Sequence, residues 1–296
     1  MTTAYDAFTP PMNRSSESTP GARDRLRRIE GRHNPLLKQL RQAFSRAELS
    51  EHGDCAIEGV HIVEEAIRSG LRFQAVVFRE SAQSLAERLL PQIGSHVQTL
   101  SVPDKLFDNA VPSENPQGVA ALVHLKEYSV DDLLERVSLG PIVAVAGLQD
   151  PGNLGTILRS AEAFGGAGIV CGEGTVSRFN SKVIRASAGS IFRLPQVTAS
   201  DFGGLDAVCS KLRSVNVRLV GTSSHKGAPL DQARLTEPLA IFVGGEGAGL
   251  PKPLMAQMDE LIAIPHSPRV ESLNAGIAAS ILLYEAARQR RGLSTV

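Results

Sequence analysis

The sequence has no net charge, few cysteines and no long apolar run, and each shortage excludes a class of protein. Basic and acidic residues number 31 each among 296, so the overall charge does not indicate a nucleic-acid partner. Three widely spaced cysteines, Cys55, Cys171 and Cys209, form no Cys-x-x-Cys pair, and no His-Glu-x-x-His run occurs. A disulfide framework and a zinc site are therefore not expected, and we predict no bound metal.

The same shortages bear on the compartment. No uncharged apolar run approaches the ~18 residues that a membrane span needs, and the first residues lack the apolar core of a secretory signal. The cysteines have the character of small buried apolar residues in a reducing environment. We therefore expect a cytoplasmic protein without a membrane partner.

Positive charge is concentrated near the start of the chain. Two acidic residues, Asp24 and Glu30, lie in the segment from residue 23 to 46. Its basic residues are Arg23, Arg25, Arg27, Arg28, Arg32, Lys38, Arg41 and Arg46. Such a segment can follow a phosphate backbone, or it can be an ordinary solvated helix face.

Four segments follow one another along the chain. Residues 1–22, rich in Thr, Ser and Pro, are predicted to be a disordered tail. Residues 23–127 alternate short helices and strands and indicate a small α/β domain, in which Cys55–Gly59 leads directly into a helix. Residues 128–140 form a charged amphipathic linker helix that ends at a Gly-Pro break.

Residues 141–296 predict a second α/β domain. Strands alternate with helices, which favours a parallel sheet covered on both faces, and the apolar run from Pro141 to Leu148 suits a central strand. Helices are expected over 153–164, 181–191 and 272–290, among others. The stripe on the last helix is predicted to pack in the core; its residues are Leu273, Ile277, Ile281 and Tyr284.

Three polar or glycine-rich runs follow apolar, strand-like segments of this second domain. They span residues 150–160, 243–251 and 264–274. Open α/β sheets bind ligands at the carboxyl ends of their strands, so the layout is that of an enzyme. Each run alone has a simpler interpretation, with Arg159 as a solvated helix residue, Glu246 in a tight turn and Ser272 as a helix cap.

Two nucleotide-binding motifs can be compared with these runs. The glycines Gly147, Gly152 and Gly155 do not have the Gly-x-Gly-x-x-Gly spacing of a dinucleotide site, and no acidic residue closes the following strand. No Gly-Lys-Ser/Thr follows any glycine turn, which excludes a phosphate loop. An oxidoreductase that uses the Gly152 turn stays open as an alternative.

Taken together, the three runs resemble the signature motifs of the SpoU/TrmH branch of the SPOUT superfamily, which contains RNA ribose 2′-O-methyltransferases. The first resembles Asn-x-x-x-x-x-Arg, the second Gly-x-Glu-x-x-Gly-Leu and the third Ile-Pro followed by Ser-Leu-Asn. Upstream, His33–Lys38, Ile57–Gly59 and Pro116–Val119 resemble the ribosomal-protein-like substrate-binding domain that precedes the catalytic domain in many members.

The resemblance implies S-adenosylmethionine as cofactor, RNA as substrate and a homodimer whose catalytic domain carries a deep trefoil knot. Ribosomal RNA is the preferred substrate, with transfer RNA as the nearest competitor. A non-catalytic RNA-binding protein on the same fold is a further alternative. The basic segment and the first domain would then grip RNA by phosphate and shape contacts.

The resemblance also assigns roles to residues of this chain. Arg159 would be the catalytic residue, either as a general base or as a phosphate clamp; Asn153 and Asn274 would orient it, and Glu246 and Ser272 would complete a polar ring. The cofactor would be held at Thr222, Gly244, Ile264 and Leu273. The chain departs from the family pattern at His266, where methionine is common, and at Ala275-Gly276, where Val-Ser is usual.

Overall fold

The computed structural model describes residues 25–31 and 33–293. The predicted disordered tail and the basic residues Arg23 and Arg32 lie outside the described residues. Two β-sheets follow one another along the chain, one of five strands and one of seven. The prediction of an α/β protein is confirmed.

The first sheet mixes parallel and antiparallel pairs in the order β1-β4-β3-β5-β2. Its strands are β1 (Leu26–Arg28), β2 (Asp54–Glu58), β3 (Arg72–Arg79), β4 (Gln98–Val102) and β5 (Val119–His124). β1 and β3 run parallel to β4, whereas β5 runs antiparallel to both β3 and β2. The segment from Cys55, predicted only as the approach to a helix, is strand β2; all its residues are buried, so no alternation marks it.

Helices join these strands, and their ends are closed by side chains from the upstream motifs. They are α1 (Pro35–Arg46), α2 (Val60–Arg68), α3 (Gln83–Leu89) and α4 (Asp104–Asp108). The Asn34 side chain accepts hydrogen bonds from Leu36 N and Leu37 N and so caps α1. Gln117 Oε1 accepts from Val60 N at 2.9 Å and supplies the cap that Gly59 cannot give to α2.

The second sheet is parallel throughout, as predicted, in the order β10-β12-β9-β11-β6-β7-β8. Its strands are β6 (Ile142–Ala146), β7 (Gly168–Cys171), β8 (Gln196–Thr198), β9 (Arg218–Thr222), β10 (Ala228–Pro229), β11 (Leu239–Gly244) and β12 (Glu260–Ala263). β6 and β11 are buried along their whole length, which agrees with their apolar sequences. The expected central strand is thus β6, between β11 and β7.

Helices of the second part are α5 (Val130–Leu134), α6 (Pro151–Ala163), α7 (Ser181–Ala186), α8 (Leu205–Ser214), α9 (Lys252–Met255) and α10 (Ala275–Leu293). The single helix predicted over 181–191 is wrong. α7 ends at Ala186, and Ala188 adopts a φ of 49° before a short 3-10 turn over Ser190–Phe192. A left-handed residue cannot continue a right-handed helix.

The predicted core stripe of α10 is also wrong. Ile277 and Tyr284 are 53% and 49% exposed, and Leu273 and Ile281 are only partly buried. The buried face consists of Ala275, Ala279, Leu282, Leu283 and Ala286. α10 is apolar on more than one side, and its small residues lie against α6, so periodicity alone selected the wrong stripe.

The two sheets share a buried seam. One cluster of buried apolar side chains includes Val63 and Phe78 from the first part with Leu158 and Ile184 from the second. Arg193 crosses the same seam and donates to Glu65 Oε2 at 2.8 Å. Across the described residues, no helix has the length and apolar character that crossing a membrane requires.

Candidate active site

The three polar runs converge because their strands are neighbours in the second sheet. β6, β11, β9 and β12 are adjacent and parallel, so the loops after them emerge at one edge. A cavity of about 340 Å³ lies there, between the loops that follow β9, β11 and β12. The structure therefore places a ligand-sized space where strand order predicts one.

Most of the predicted site residues line this cavity. Thr222 lies at the end of β9, Gly244 at the end of β11, and Ile264 directly after β12. The remaining predicted residues on its wall are Glu246, Ser272, Leu273 and Asn274. Asn153 and Arg159 do not line the cavity.

The glycine run packs too closely for any side chain. A Cβ added at Gly244 would lie 2.0 Å from the backbone carbon of Gly249, and one added at Gly245 would lie 2.1 Å from the carbonyl oxygen of Gly147. The run thus doubles back on itself and rests on the loop after β6. Glycine is required because backbone meets backbone at both points, which a plain tight turn would not demand.

Asn153 connects the first run to the second. Its Nδ2 donates to Glu246 Oε1 at 2.5 Å, and the residue is only 7% exposed. Asp150 caps α6 by accepting from Asn153 N at 2.8 Å, which fixes the residue at the start of the helix. The bond to Asn153 therefore holds the carboxylate of the glycine loop in place.

Arg159 lies on the outer face of α6, away from the cavity. It is exposed, and within the described part of the chain it has no hydrogen bond or ion pair. α6 and α10 run side by side, as shown by a 2.7 Å contact between Ser160 Oγ and Ser280 Oγ. A single chain thus does not bring the predicted catalytic guanidinium into the cavity.

The start of α10 is set by Asn274, not by Ser272. Asn274 Oδ1 accepts from Ile277 N at 3.1 Å, and the helix begins at Ala275. A Cβ added at Gly276 would lie 3.1 Å from Asn153 Oδ1 and 3.2 Å from Thr156 Cβ. Gly276, where the family pattern usually has serine, therefore allows α10 to approach the start of α6 closely.

Several wall residues were not predicted as binding residues. The side chains of Leu250, Met255 and Ile262 add apolar surface, and Ser223 and Ser224 add hydroxyls. His266 also lines the cavity, where its Nδ1 lies 2.7 Å from the carbonyl oxygen of Ile264. Leu250 and His266 lie within the second and third runs, and their positions could have indicated their place in the cavity wall.

The cavity suits a nucleoside cofactor. Bare peptide groups of the glycine loop can meet the hydrogen-bonding edge of an adenine, and the apolar side chains can stack on its ring. These peptide groups and apolar side chains fit the adenosine part of S-adenosylmethionine. Among the described residues, no group of three His, Cys, Asp or Glu side chains could hold a metal ion.

Comparison with known proteins gives matches along most of the chain. The SpoU rRNA Methylase family matches residues 140–284, and the MRM3-like substrate binding domain matches residues 34–121. The chain is 30% identical to the 23S rRNA (guanosine(2553)-2'-O)-methyltransferase RlmP of Bacillus subtilis, over 88% of this chain and 98% of that protein.

Solved structures show the same architecture. The SpoU methyltransferase AviRb from Streptomyces viridochromogenes, in complex with its cofactor AdoMet, has a TM-score of 0.75 and 26% identity, over 88% of this chain and 99% of that chain. A structure of an RNA 2'-O ribose methyltransferase has a TM-score of 0.70 and 30% identity, over 89% and 99%. The chain therefore belongs to the SpoU rRNA methylase family, whose members are S-adenosylmethionine-dependent methyltransferases.

Proposed function

We propose that this protein transfers a methyl group from S-adenosylmethionine to a ribose 2′-hydroxyl of ribosomal RNA. The observation that carries the proposal is the cavity at the carboxyl ends of β9, β11 and β12, closed by a glycine loop that Asn153 holds through Glu246. The similarity to the Bacillus subtilis enzyme named for 23S rRNA supports ribosomal RNA over transfer RNA.

The cofactor would be held by peptide groups at Gly244, Ile264 and Leu273, with Thr222 at the edge of the cavity. When bound, S-adenosylmethionine supplies a methyl group on a positively charged sulfur, which a ribose 2′-oxygen can attack in line. The protein's part is to align the two reactants in a site that excludes water, which can supply up to roughly 7–11 kcal/mol in ideal cases.

Arg159 acts in this proposal as a phosphate clamp. A guanidinium is effectively always protonated in proteins, so it is a poor general base but a good bidentate partner for phosphate. Asn153, at the start of the same helix, donates to Glu246 in the loop after β11. Asn274, which follows Ser272 in the loop after β12, caps α10 beside the start of α6. The proton of the hydroxyl would leave to the clamped phosphate or to a neighbouring group.

The clamp can be tested on the RNA as well as on the protein. Arg159→Ala should reduce turnover to a small residual rate and leave the affinity for S-adenosylhomocysteine unchanged. A methylphosphonate beside the target ribose should lower the rate of the parent enzyme. It should not lower the rate of Arg159→Ala any further, because both changes remove the same contact between guanidinium and phosphate. Additive losses would contradict the clamp and favour the general-base role.

A second copy of the chain completes the site in this proposal. Ile277 and Tyr284 expose apolar surface on α10, beside the outer face of α6 that carries Arg159. Burying that surface against a second copy would bring one chain's guanidinium toward the other chain's cavity. Ile277→Glu should be a monomer when its mass is measured by light scattering. The control Val215→Glu changes an exposed apolar residue at the end of α8 and should remain a dimer. A dimeric Ile277→Glu protein would contradict this interface.

RNA would be gripped chiefly by α1. Lys38, Arg41 and Arg46 are exposed, and within the described residues none forms an ion pair. Arg25 and Arg28 have structural partners instead, because Arg25 donates to the carbonyls of Ile93 and Gly94, and Arg28 pairs with Glu30 and Glu80. Among the described residues of the basic segment, the exposed cations without an ion pair are thus Arg27 on β1 and the three on α1.

Three further parts of the proposal rest on the family. Residues 23–127 would be the substrate-binding domain, 128–140 the linker and 141–296 the catalytic domain, which the matched ranges 34–121 and 140–284 support. The catalytic domain would carry the trefoil knot. The protein would act in the cytoplasm, where ribosomal RNA is found and where the buried free cysteines would stay reduced.

Incorporation of labelled methyl groups into RNA tests the function directly. Purified protein, labelled S-adenosylmethionine and separate transcripts of ribosomal and transfer RNA should give transfer to ribosomal RNA. Primer extension on the product would then locate the modified ribose. Binding of ribosomal RNA without any transfer would instead indicate the non-catalytic RNA-binding protein.

A further inference from the structure

Two basic segments of the chain contain no acidic residue. Residues 33–47 include Lys38, Arg41 and Arg46, and residues 174–195 include Arg178, Lys182, Arg185 and Arg193. The first segment holds α1, and the second holds α7 together with the loop before it. Neither segment balances its own positive charge, as an ordinary solvated face would.

The two segments touch across the seam between the sheets. Ser177 Oγ donates to the carbonyl oxygen of Ala47 at 2.6 Å, and Ala47 directly follows Arg46 at the end of α1. Ser177 Oγ also accepts from Phe179 N at 3.1 Å, which fixes the loop that leads into α7. The basic surface of α1 therefore continues onto the second part of the molecule.

The four cations of the second segment have different surroundings. Arg178 donates to the carbonyl of Gln196, and Arg193 pairs with acidic side chains, so both are structural. Lys182 and Arg185 are exposed on the outer face of α7, whereas Val183 and Ile184 are buried beneath it. Residues three apart on a helix are neighbours on its surface.

The guanidinium of Arg185 is already oriented by contacts within the protein, before any ligand binds. Its Nη1 donates to Ser113 Oγ at 3.3 Å and lies 4.0 Å from the buried carboxylate of Glu58, yet the side chain remains 41% exposed. These contacts orient the guanidinium without burying it. Less conformational entropy is then lost when it meets a ligand. Lys182 has no ion pair within the described part of the chain.

α7 lies directly beside the reaction machinery. Gly155 of α6 packs against Ala186 of α7, where an added Cβ would lie 2.3 Å from the alanine Cβ. The loop before α7 is also joined to the loop before α6, because Val176 N donates to the carbonyl of Leu148 at 2.8 Å. Lys182 and Arg185 therefore lie on a helix that packs against the helix carrying Arg159.

We infer that Lys182 and Arg185 extend the RNA-binding surface from α1 onto the catalytic part of the molecule. The phosphate backbone of the substrate would cross the seam over α7 on its way from α1 to Arg159. This inference rests on the proposed function. The two residues would contact phosphates and position the target nucleotide, without recognising the base sequence.

The test measures RNA binding without turnover. Filter binding with a full-length large-subunit ribosomal RNA transcript, over a range of salt concentrations, needs no knowledge of the modified nucleotide. Lys182→Ala should weaken binding about threefold to tenfold and reduce the salt slope by about one unit, as the loss of one phosphate contact predicts. Arg185→Ala should do the same, although it also touches the seam, so Lys182→Ala is the cleaner probe.

The matched control is Lys105→Ala, which removes an exposed lysine flanked by Asp104 and Asp108 on α4. It should leave RNA affinity and salt slope unchanged, and all three variants should keep the parent affinity for S-adenosylhomocysteine. Parent-like RNA binding by Lys182→Ala would overturn the inference, even if methyl transfer is confirmed. A parent protein that binds RNA without methylating it would refute the proposed function alone; one that binds no RNA would refute both.

Discussion

Replacing Gly155 by alanine tests how closely α6 must approach α7. The added Cβ would lie 2.3 Å from Ala186 Cβ, 2.9 Å from the Ala186 carbonyl carbon and 3.0 Å from Ser187 N. Carbon atoms pack best at about 3.5–4.0 Å, so the helices must separate by about 1.2 Å or more. None of the three neighbouring atoms belongs to a side chain that could rotate away.

Two opposing effects set the magnitude. Alanine is better than glycine inside a helix by about 1 kcal/mol. Overpacking a tight contact costs about 1–3 kcal/mol, and three simultaneous close contacts favour the upper part of that range. We therefore expect a net loss of about 1–2 kcal/mol, which corresponds to a fall in Tm of roughly 2–8 °C.

Thermal unfolding of Gly155→Ala and a matched variant would measure this effect. Gly292→Ala makes the same exchange in α10, where an added Cβ has nothing within 4 Å, so its Tm should be unchanged or raised. Methyl transfer should also fall in Gly155→Ala, because α6 carries Asn153 and Arg159. A Gly155→Ala protein as stable as the parent would refute the packing argument.

Three other changes give separate tests. Gly245→Ala should abolish S-adenosylhomocysteine binding in calorimetry, because its Cβ would lie 2.1 Å from the Gly147 carbonyl oxygen and lift the glycine loop; parent-like affinity would contradict this. Arg193 donates to Glu162 at 2.6 and 3.0 Å and lowers the pKa of that carboxyl. This stabilisation is present above the ordinary carboxyl pKa and is lost as pH falls through the lowered one. Arg193→Ala should therefore cost about 1 kcal/mol at pH 7 and progressively less in acid; a loss independent of pH in urea unfolding would exclude the ion pair as its cause. Asn34→Ala should lower stability by about 1 kcal/mol through loss of the α1 cap, and an unchanged Tm would argue against that cap.

The upstream motifs show how far sequence reasoning reached. The sequence showed their resemblance to a substrate-binding domain, but it did not show which hydrogen bonds their polar side chains form. Asn34 and Gln117 cap helices, whereas Glu58 accepts from Ser113 Oγ at 2.8 Å beside Arg185. Burial raises the pKa of Glu58, although Ser113 and Arg185 oppose the shift. These partners lie 55 or more positions from Glu58, so no local pattern could identify them.

Each failure has a physical cause that local sequence patterns do not reveal. On α10, periodicity correctly predicted a helix with apolar stripes, but two stripes were available and the contact with α6 decided which was buried. β2 was missed because full burial removes the alternation by which strands are recognised. The helix over 181–191 was overextended because nothing local distinguishes Ala188 from an ordinary helical alanine.

The sequence by itself determined most of the helices and longer strands in the second part of the chain, the family, and which polar residues follow which strand. These properties depend on local periodicity and on residue types at short spacing. Only the tertiary structure decided that Asn153 holds Glu246, that Arg159 does not line the cavity and that the loop before α7 contacts the end of α1. Such facts depend on which distant segments touch, and contact is set by the packing of the whole chain.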